Sequence, residues 1–155
     1  MKSNYFYCDE QPVDQQLLEN PKLKRVCKTW HCRWSYNGNE RFLTAVIDYV
    51  YDGGSVPRPV QSILGITPSG PGDCGFLPHD IIYRAEGGRK AHAYLGCSVK
   101  NYNGNNVLIS RKEADWVLGA GMRFGGIPKR RVLVAIPFVR AFGILHWGGP
   151  IPALK

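Results

Sequence analysis

The residues of this chain best suited to chemistry are the adjacent pair His79 and Asp80, with Tyr83 three residues after the aspartate. The pattern predicts a helix that begins near Leu77, because Pro78 is compatible with a first helical turn and glycines precede it. On such a helix His79 and Tyr83 share one face, whereas Asp80 is rotated by about 100° from His79. The spacing would therefore supply a base and, facing elsewhere, a separate oxygen ligand.

Two other interpretations of the same stretch stay open. In the first, His79 packs at an interface and Asp80 forms an ion pair with Arg84 or Arg89, with no chemistry involved. In the second, Cys74 is a nucleophile activated by His79. The cysteine hypothesis ranks last, because Cys74 precedes the predicted helix and no independent residue marks its activation.

A second acidic residue, Asp115, lies at the start of another predicted helix. Ser110 and Glu113 have the spacing of a capping box, in which the serine bonds the N3 amide and the glutamate reaches back. This signal predicts a helix over residues 111–123 with Asp115 in its early turns. The alternative role for Asp115 is to complement the positive end of the helix dipole.

The remaining elements predict an α+β fold in one domain over residues 23–150. Residues 24–51 favour a small antiparallel sheet, with Asn37 and Gly38 as the hairpin turn. Residues 1–22 are predicted to be an irregular arm with a possible short helix at 13–19. Helices are expected near residues 77–86, 111–123 and 132–145, with the first two antiparallel and His79 about 3 Å from Asp115.

The last predicted helix belongs to an apolar segment, residues 132–147. At 16 residues, interrupted by Pro137 and Arg140, it is too short and too broken to span a bilayer. A buried helix is expected, with contact to a lipid surface or another subunit as the alternative. The same alternative applies to the aromatic residues 5–7 near the other end of the chain.

Charge and cysteine content restrict the partners and the compartment. The formal net charge of +8 favours an acidic partner. The basic residues are scattered, apart from residues 129–131, which argues against a nucleic-acid-binding face without excluding one. The five cysteines lack the spacing of a disulfide framework or a zinc site. No signal peptide is recognisable, so synthesis in a reducing cytoplasm with mostly free thiols is expected.

Four short motifs in a fixed order resemble a phage and prophage family designated domain of unknown function 1353. The resemblance covers roughly residues 40–145 and implies a bacteriophage or prophage origin, with no settled activity. Its motifs are Tyr51-Asp52-Gly53-Gly54-Ser55-Val56-Pro57-Arg58, Leu77-Pro78-His79-Asp80-Ile81-Ile82-Tyr83, Ser110-Arg111-Lys112-Glu113-Ala114-Asp115 and Val139-Arg140-Ala141-Phe142-Gly143.

The His-Asp-x-x-Tyr motif, followed by a distant aspartate, also resembles phospholipases A2, including the domain found in parvovirus capsids. The resemblance implies that His79 is the general base that activates water and that Asp115 orients it. Tyr83 would support Asp115 by a hydrogen bond, and Asp80 would bind calcium. A neutral imidazole with one nitrogen fixed by a carboxylate suits this chemistry.

The calcium loop implied by this resemblance has no clear counterpart in the chain. The carbonyls of Gly53 and Gly54 are the expected additional ligands, with Gly70 and Gly72 as the alternative. The disulfide cysteines that neighbour the loop in phospholipases are also missing, since Cys74 alone lies nearby.

Two functions follow as expectations. The first is a virion- or tail-associated protein, made in the host cytoplasm, that hydrolyses lipid esters with the help of calcium during entry. The second is a non-catalytic structural or assembly component of the phage, bound to other phage proteins. In that case the same residues form a fully satisfied buried polar network.

Overall fold

The computed structural model of the chain describes residues 3–20, 23–52, 62, 65 and 70–148. Within them the fold is α+β, as predicted, with two antiparallel sheets and three α-helices. The strands are β1 (Tyr5–Cys8), β2 (Asp14–Gln16), β3 (Leu23–Val26), β4 (Trp30–Tyr36), β5 (Asn39–Ala45), β6 (Val50–Asp52) and β7 (Ser98–Asn101). The helices are α1 (Asp73–Arg84), α2 (Arg111–Phe124) and α3 (Lys129–Gly143), with short 3₁₀ helices at Glu86–Gly88 and Ala91–Tyr94.

The larger sheet has the strand order β1-β4-β5-β7 and is centred on the predicted hairpin. Asn37 and Gly38 both have positive φ, at 50° and 78°, and Tyr36 pairs with Asn39 across the turn. Glycine and asparagine tolerate this left-handed backbone, which matches the twist of the flanking strands. The hairpin prediction is therefore confirmed.

The smaller sheet, β2-β3-β6, corrects two predictions. The segment predicted to be an irregular arm contains β1 and β2, and the possible helix at 13–19 is a strand, because Asp14–Gln16 pairs with β3. The single sheet predicted over residues 24–51 is divided, since β3 and β6 belong to one sheet and β4 and β5 to the other. Both differences result from pairing between strands that are far apart in the chain, and local propensity does not encode such pairing.

Helix α1 begins at Asp73 rather than near Leu77, so Gly75 and Pro78 lie inside it. Gly75 is within the helix because α2 packs against it at backbone distance. A Cβ on Gly75 would lie 2.4 Å from the carbonyl oxygen of Leu118, and one on Gly121 would lie 2.6 Å from the Cα of Gly75. A glycine that reads as a helix breaker in sequence is here required by the helix–helix contact.

Helix α2 begins as predicted, but only half of the capping box forms. The Ser110 hydroxyl accepts a hydrogen bond from the Glu113 amide. The Glu113 carboxylate instead accepts from Trp34 Nε1 at 2.9 Å and lies 3.5 Å from Arg41 Nε. Both partners belong to the β4–β5 hairpin, so this glutamate connects the helix layer to the larger sheet.

Helix α3 is apolar on two faces. Its buried face, formed by Val132, Ala135, Val139 and Gly143, packs toward the core. The prediction of a buried helix therefore holds for one face only. No helix in the described ranges is long and apolar enough to cross a membrane. The exposed apolar residues of this segment are Leu133, Val134, Phe138, Phe142, Ile144 and Leu145.

Candidate functional site

The structure brings His79 and Asp115 together at the crossing of α1 and α2. The two helices run antiparallel, since Gly75 lies against Met122 while Tyr83 lies against Asp115. His79 Nε2 is 3.4 Å from Asp115 Oδ1. The predicted meeting of these two side chains is therefore observed, at slightly more than the expected distance.

Asp115 is held by two further side chains. The Tyr83 hydroxyl donates a hydrogen bond to Asp115 Oδ1, and its ring lies 4.0 Å from the imidazole of His79, centroid to centroid. Arg140 Nε on α3 lies 3.8 Å from Asp115 Oδ2. Sequence reasoning identified Tyr83 but missed Arg140, because nothing in the local sequence indicates that α3 folds back over this aspartate.

The two ring nitrogens of His79, Nε2 and Nδ1, have different hydrogen-bonding surroundings. Within the part of the chain that the structure describes, Nδ1 is buried and has no hydrogen-bond partner. Asp115, as the acceptor at Nε2, favours the tautomer that leaves a lone pair on Nδ1. Burial lowers the pKa of His79, partly opposed by the hydrogen bond to Asp115. The imidazole is thus neutral at pH 7, with one nitrogen anchored and the other able to take a proton.

Asp80 lies on the Nδ1 side of the imidazole, with its Oδ1 4.0 Å from that nitrogen. Its other oxygen accepts a hydrogen bond from the Asp52 amide at 3.1 Å and lies 3.9 Å from Arg84 Nη2. Arg84 in turn donates to the Val50 carbonyl. The ion pair between Asp80 and Arg84 expected from the structural interpretation is therefore present.

Asp52 is a site residue that sequence reasoning missed. It ends β6, and its buried Oδ1 has no hydrogen-bond partner among the described residues. Its charge acts on His79 by raising the pKa of the imidazole, against the larger effect of burial. The available signal was an acidic residue at the end of a strand, directly before two glycines. Gly53 and Gly54, the predicted calcium ligands, lie outside the described residues.

The donors at this site meet only part of the requirement for calcium. Calcium takes about six to eight oxygen ligands. The backbone amide of Asp52 contacts the Asp80 carboxylate, and Asp52 Oδ1 has no hydrogen-bond partner among the described residues, which suits a hard cation. Among the described residues, however, no group of three or more His, Cys, Asp or Glu side chains is arranged to hold a metal. Arg84 also already places positive charge beside Asp80.

The alternative loop glycines lie beside a different ion pair. The Gly70 amide donates to Asp73 Oδ2, and both oxygens of Asp73 accept from Lys24 Nζ, at 2.7 and 2.8 Å. This pair joins the start of α1 to β3. The Gly70 amide thus stabilises the Asp73 carboxylate of the ion pair with Lys24.

The site is closed in this structure. His79 has no exposed surface, Asp115 is 1% exposed, and Asp80 and Tyr83 are each 5% exposed. The cysteine hypothesis gains no support, because Cys74 Sγ contacts Cys8 Sγ and Gln11 Oε1 and is completely buried. The arrangement is thus a buried polar network in which Nδ1 of His79 lies 4.0 Å from the Asp80 carboxylate.

Comparison of the chain with models of known protein families, with curated proteins and with solved structures gave no match.

Proposed function

We propose that the chain hydrolyses esters with a water molecule activated by His79. The observation that supports this is the difference between the two imidazole nitrogens: Nε2 is anchored by Asp115, whereas Nδ1 has no hydrogen-bond partner among the described residues. A positioned neutral imidazole whose pKa lies below neutral is a competent general base at pH 7. A histidine that only packs in a core would be expected to use both ring nitrogens in hydrogen bonds.

In the proposed reaction, Nδ1 of His79 takes a proton from water as the oxygen attacks the ester carbonyl. The imidazolium then returns this proton to the leaving alkoxide, which restores the neutral ring. Asp115 keeps the ring oriented and stabilises its transient charge, while Tyr83 and Arg140 hold Asp115 in place. Calcium bound by Asp80 and Asp52 would supply positive charge near the developing oxyanion.

Two features support a lipid substrate. One face of α3 exposes Val134, Phe138 and Phe142, which are four residues apart and are 47%, 40% and 51% exposed. Exposed apolar patches of this kind mark contacts with lipid or protein. The exposed Arg130 at the start of the helix and the net charge of +8 favour an anionic surface. The same helix carries Arg140, which contacts Asp115, so α3 connects this exposed face to the site.

The proposal predicts calcium-dependent release of fatty acid from anionic phospholipid vesicles. Wild-type protein should release fatty acid in millimolar calcium and lose this activity with a chelator. Calcium should also raise the melting temperature of the wild type but not of Asp80→Asn, since a ligand that binds only the native state stabilises it. Vesicles of neutral lipid alone are the control for the surface. If millimolar calcium produces neither hydrolysis nor a shift in melting temperature, the calcium-assisted mechanism is wrong.

A second candidate function is a non-catalytic structural or assembly component of a phage particle, including its tail. The observation that favours it is the complete burial of His79, because a sealed site does not admit a lipid. The phage origin proposed under either function depends on the motif resemblance described above. In this case the exposed face of α3 would contact another phage protein.

The structural candidate predicts that the chain is found in purified phage particles at a fixed copy number. Mass spectrometry of particles banded by density would measure this, with a non-structural phage protein as the control for contamination. Particles that lack the chain would rule out a role in the mature particle, tail included.

A further inference from the structure

A group of thiols lies on the opposite side of α1 from the neighbourhood of His79. Cys8 at the end of β1 and Cys74 in the first turn of α1 place their sulfurs 3.4 Å apart. The two residues are 66 positions apart in the chain, so the fold rather than local sequence creates the contact. A third cysteine, Cys32, is directly opposite Cys8 in the register of β1 and β4.

The two contacting thiols differ in access. Cys8 lines an open cavity of about 300 Å³, as does Cys32, although the two cysteines are only 3% and 4% exposed. Cys74 is completely buried and its Sγ donates to Gln11 Oε1 at 3.1 Å. A small polar molecule in the cavity therefore lies beside Cys8 and Cys32, and of these two Cys8 is the one whose sulfur contacts Cys74.

The three thiols also differ in pKa. The contact with the Cys74 sulfur lowers the pKa of Cys8, whereas the same contact, together with burial, raises the pKa of Cys74. Burial also raises the pKa of Cys32. Because the thiolate is the reactive form, the lowered pKa makes Cys8 the most reactive of the three thiols.

We propose that Cys8 and Cys74 are a peroxide-sensitive thiol pair, with Cys8 the attacking and Cys74 the resolving cysteine. The site takes a small hydroperoxide through the cavity that Cys8 lines. This inference does not depend on the proposed ester hydrolysis, because neither cysteine contacts His79 or Asp115 among the hydrogen bonds of the described residues.

The reaction balances in two steps with hydrogen peroxide. The Cys8 thiolate attacks one peroxide oxygen, the S–O bond forms as the O–O bond breaks, and hydroxide leaves to become water. The sulfur of Cys74 then attacks the sulfenic acid of Cys8, the S–S bond forms, and a second water leaves with the Cys74 proton. Two thiols are oxidised by two electrons and one peroxide is reduced to two waters.

The movement required is small. A disulfide bond is about 2.05 Å long, so the sulfurs must approach by roughly 1.4 Å. Cys8 is on an edge strand of the larger sheet, since among the described strands β1 pairs with β4 alone. An edge strand can shift without breaking a second ladder. The resulting bond would tie the first strand of the chain to the helix that carries His79.

The test treats folded wild-type protein with stoichiometric hydrogen peroxide and then alkylates the remaining thiols after denaturation. Free thiols should fall from five to three, the intact mass should fall by about 2 Da, and reductant should reverse both changes. Trypsin separates Cys8, Cys32 and Cys74 into different peptides. Mapping should identify the bond between Cys8 and Cys74, and the melting temperature should rise by roughly 10 °C.

Serine variants assign the roles. Cys74→Ser should accumulate a sulfenic acid at Cys8 that dimedone traps, whereas Cys8→Ser should leave Cys74 with less than about a tenth of that labelling. Cys32→Ser is the matched control and should still form the bond. A disulfide between Cys8 and Cys32, labelling of Cys74 in Cys8→Ser, or five free thiols after treatment of the wild type would each overturn the proposal.

Discussion

Replacing His79 by glutamine is expected to lower the rate of ester hydrolysis by roughly 10²–10⁴ while calcium still stabilises the protein. Glutamine has a similar length and can still donate to Asp115, but it cannot accept a proton from water at the position of Nδ1. The calcium donors proposed at Asp80 and Asp52 are unchanged in this variant. The measurement pairs initial rates on anionic vesicles with melting temperatures in calcium and in chelator.

Asp80→Asn is the matched control, because it removes a charge and keeps the shape. Under the hydrolase proposal, this variant loses calcium stabilisation, whereas His79→Gln keeps it. Under the structural proposal, the two changes behave alike: each leaves a buried partner unsatisfied and costs about 1–3 kcal/mol of unfolding free energy. Equal destabilisation of both variants, with no calcium response in the wild type, would contradict the hydrolase proposal.

The pH dependence of stability gives an independent check on His79. Burial lowers the pKa of His79 in the folded chain. Below about pH 6.5, therefore, His79 is protonated in the unfolded chain while it is still neutral in the folded chain. The contribution of His79 to stability is therefore complete above this pH and is lost as the pH falls below it. Wild type should lose stability faster than His79→Gln between pH 6.5 and its folded pKa, by up to about 1.4 kcal/mol per pH unit.

Gly121→Ala is expected to lower the free energy of unfolding by roughly 3 kcal/mol, the upper end of the range for overpacking a core. The added methyl group would lie 2.4 Å from the Cys74 carbonyl oxygen and 2.6 Å from the Cα of Gly75. These are backbone atoms, so α1 and α2 must move apart to admit it. The same displacement would lengthen the contact between His79 and Asp115.

Gly119→Ala is the matched control on the same helix. Its Cβ would lie 3.3 Å from side-chain atoms of Ile136 and Val132, which can adjust by a few tenths of an ångström. Since alanine favours a helix over glycine by up to about 1 kcal/mol, this variant should stay within about 1 kcal/mol of wild type. Urea unfolding of both variants measures the difference. Similar stabilities for the two would show that the helices do not meet at backbone distance.

The sequence by itself determined the features whose causes are local. The left-handed preference of Asn37 and Gly38 places the hairpin turn, and Ser110 starts α2 by capping the Glu113 amide. The spacing of His79 and Tyr83 puts both on one face of α1, where their rings meet. Each of these interactions joins residues within four positions of one another, so the residue types and spacing are sufficient to specify it.

The tertiary structure decided what depends on residues far apart in the chain. Gly75 lies inside α1 because Gly121 allows α2 to approach, which no property of residues 70–77 encodes. Asp52, whose amide donates to Asp80, is brought to the site by β6, and Arg140, the cation beside Asp115, is brought by α3. The same long-range packing closes the site over His79 and sets Cys8 against Cys74. Local propensities do not predict these contacts, because each contact joins two elements that are distant in the sequence and meet only in the folded protein.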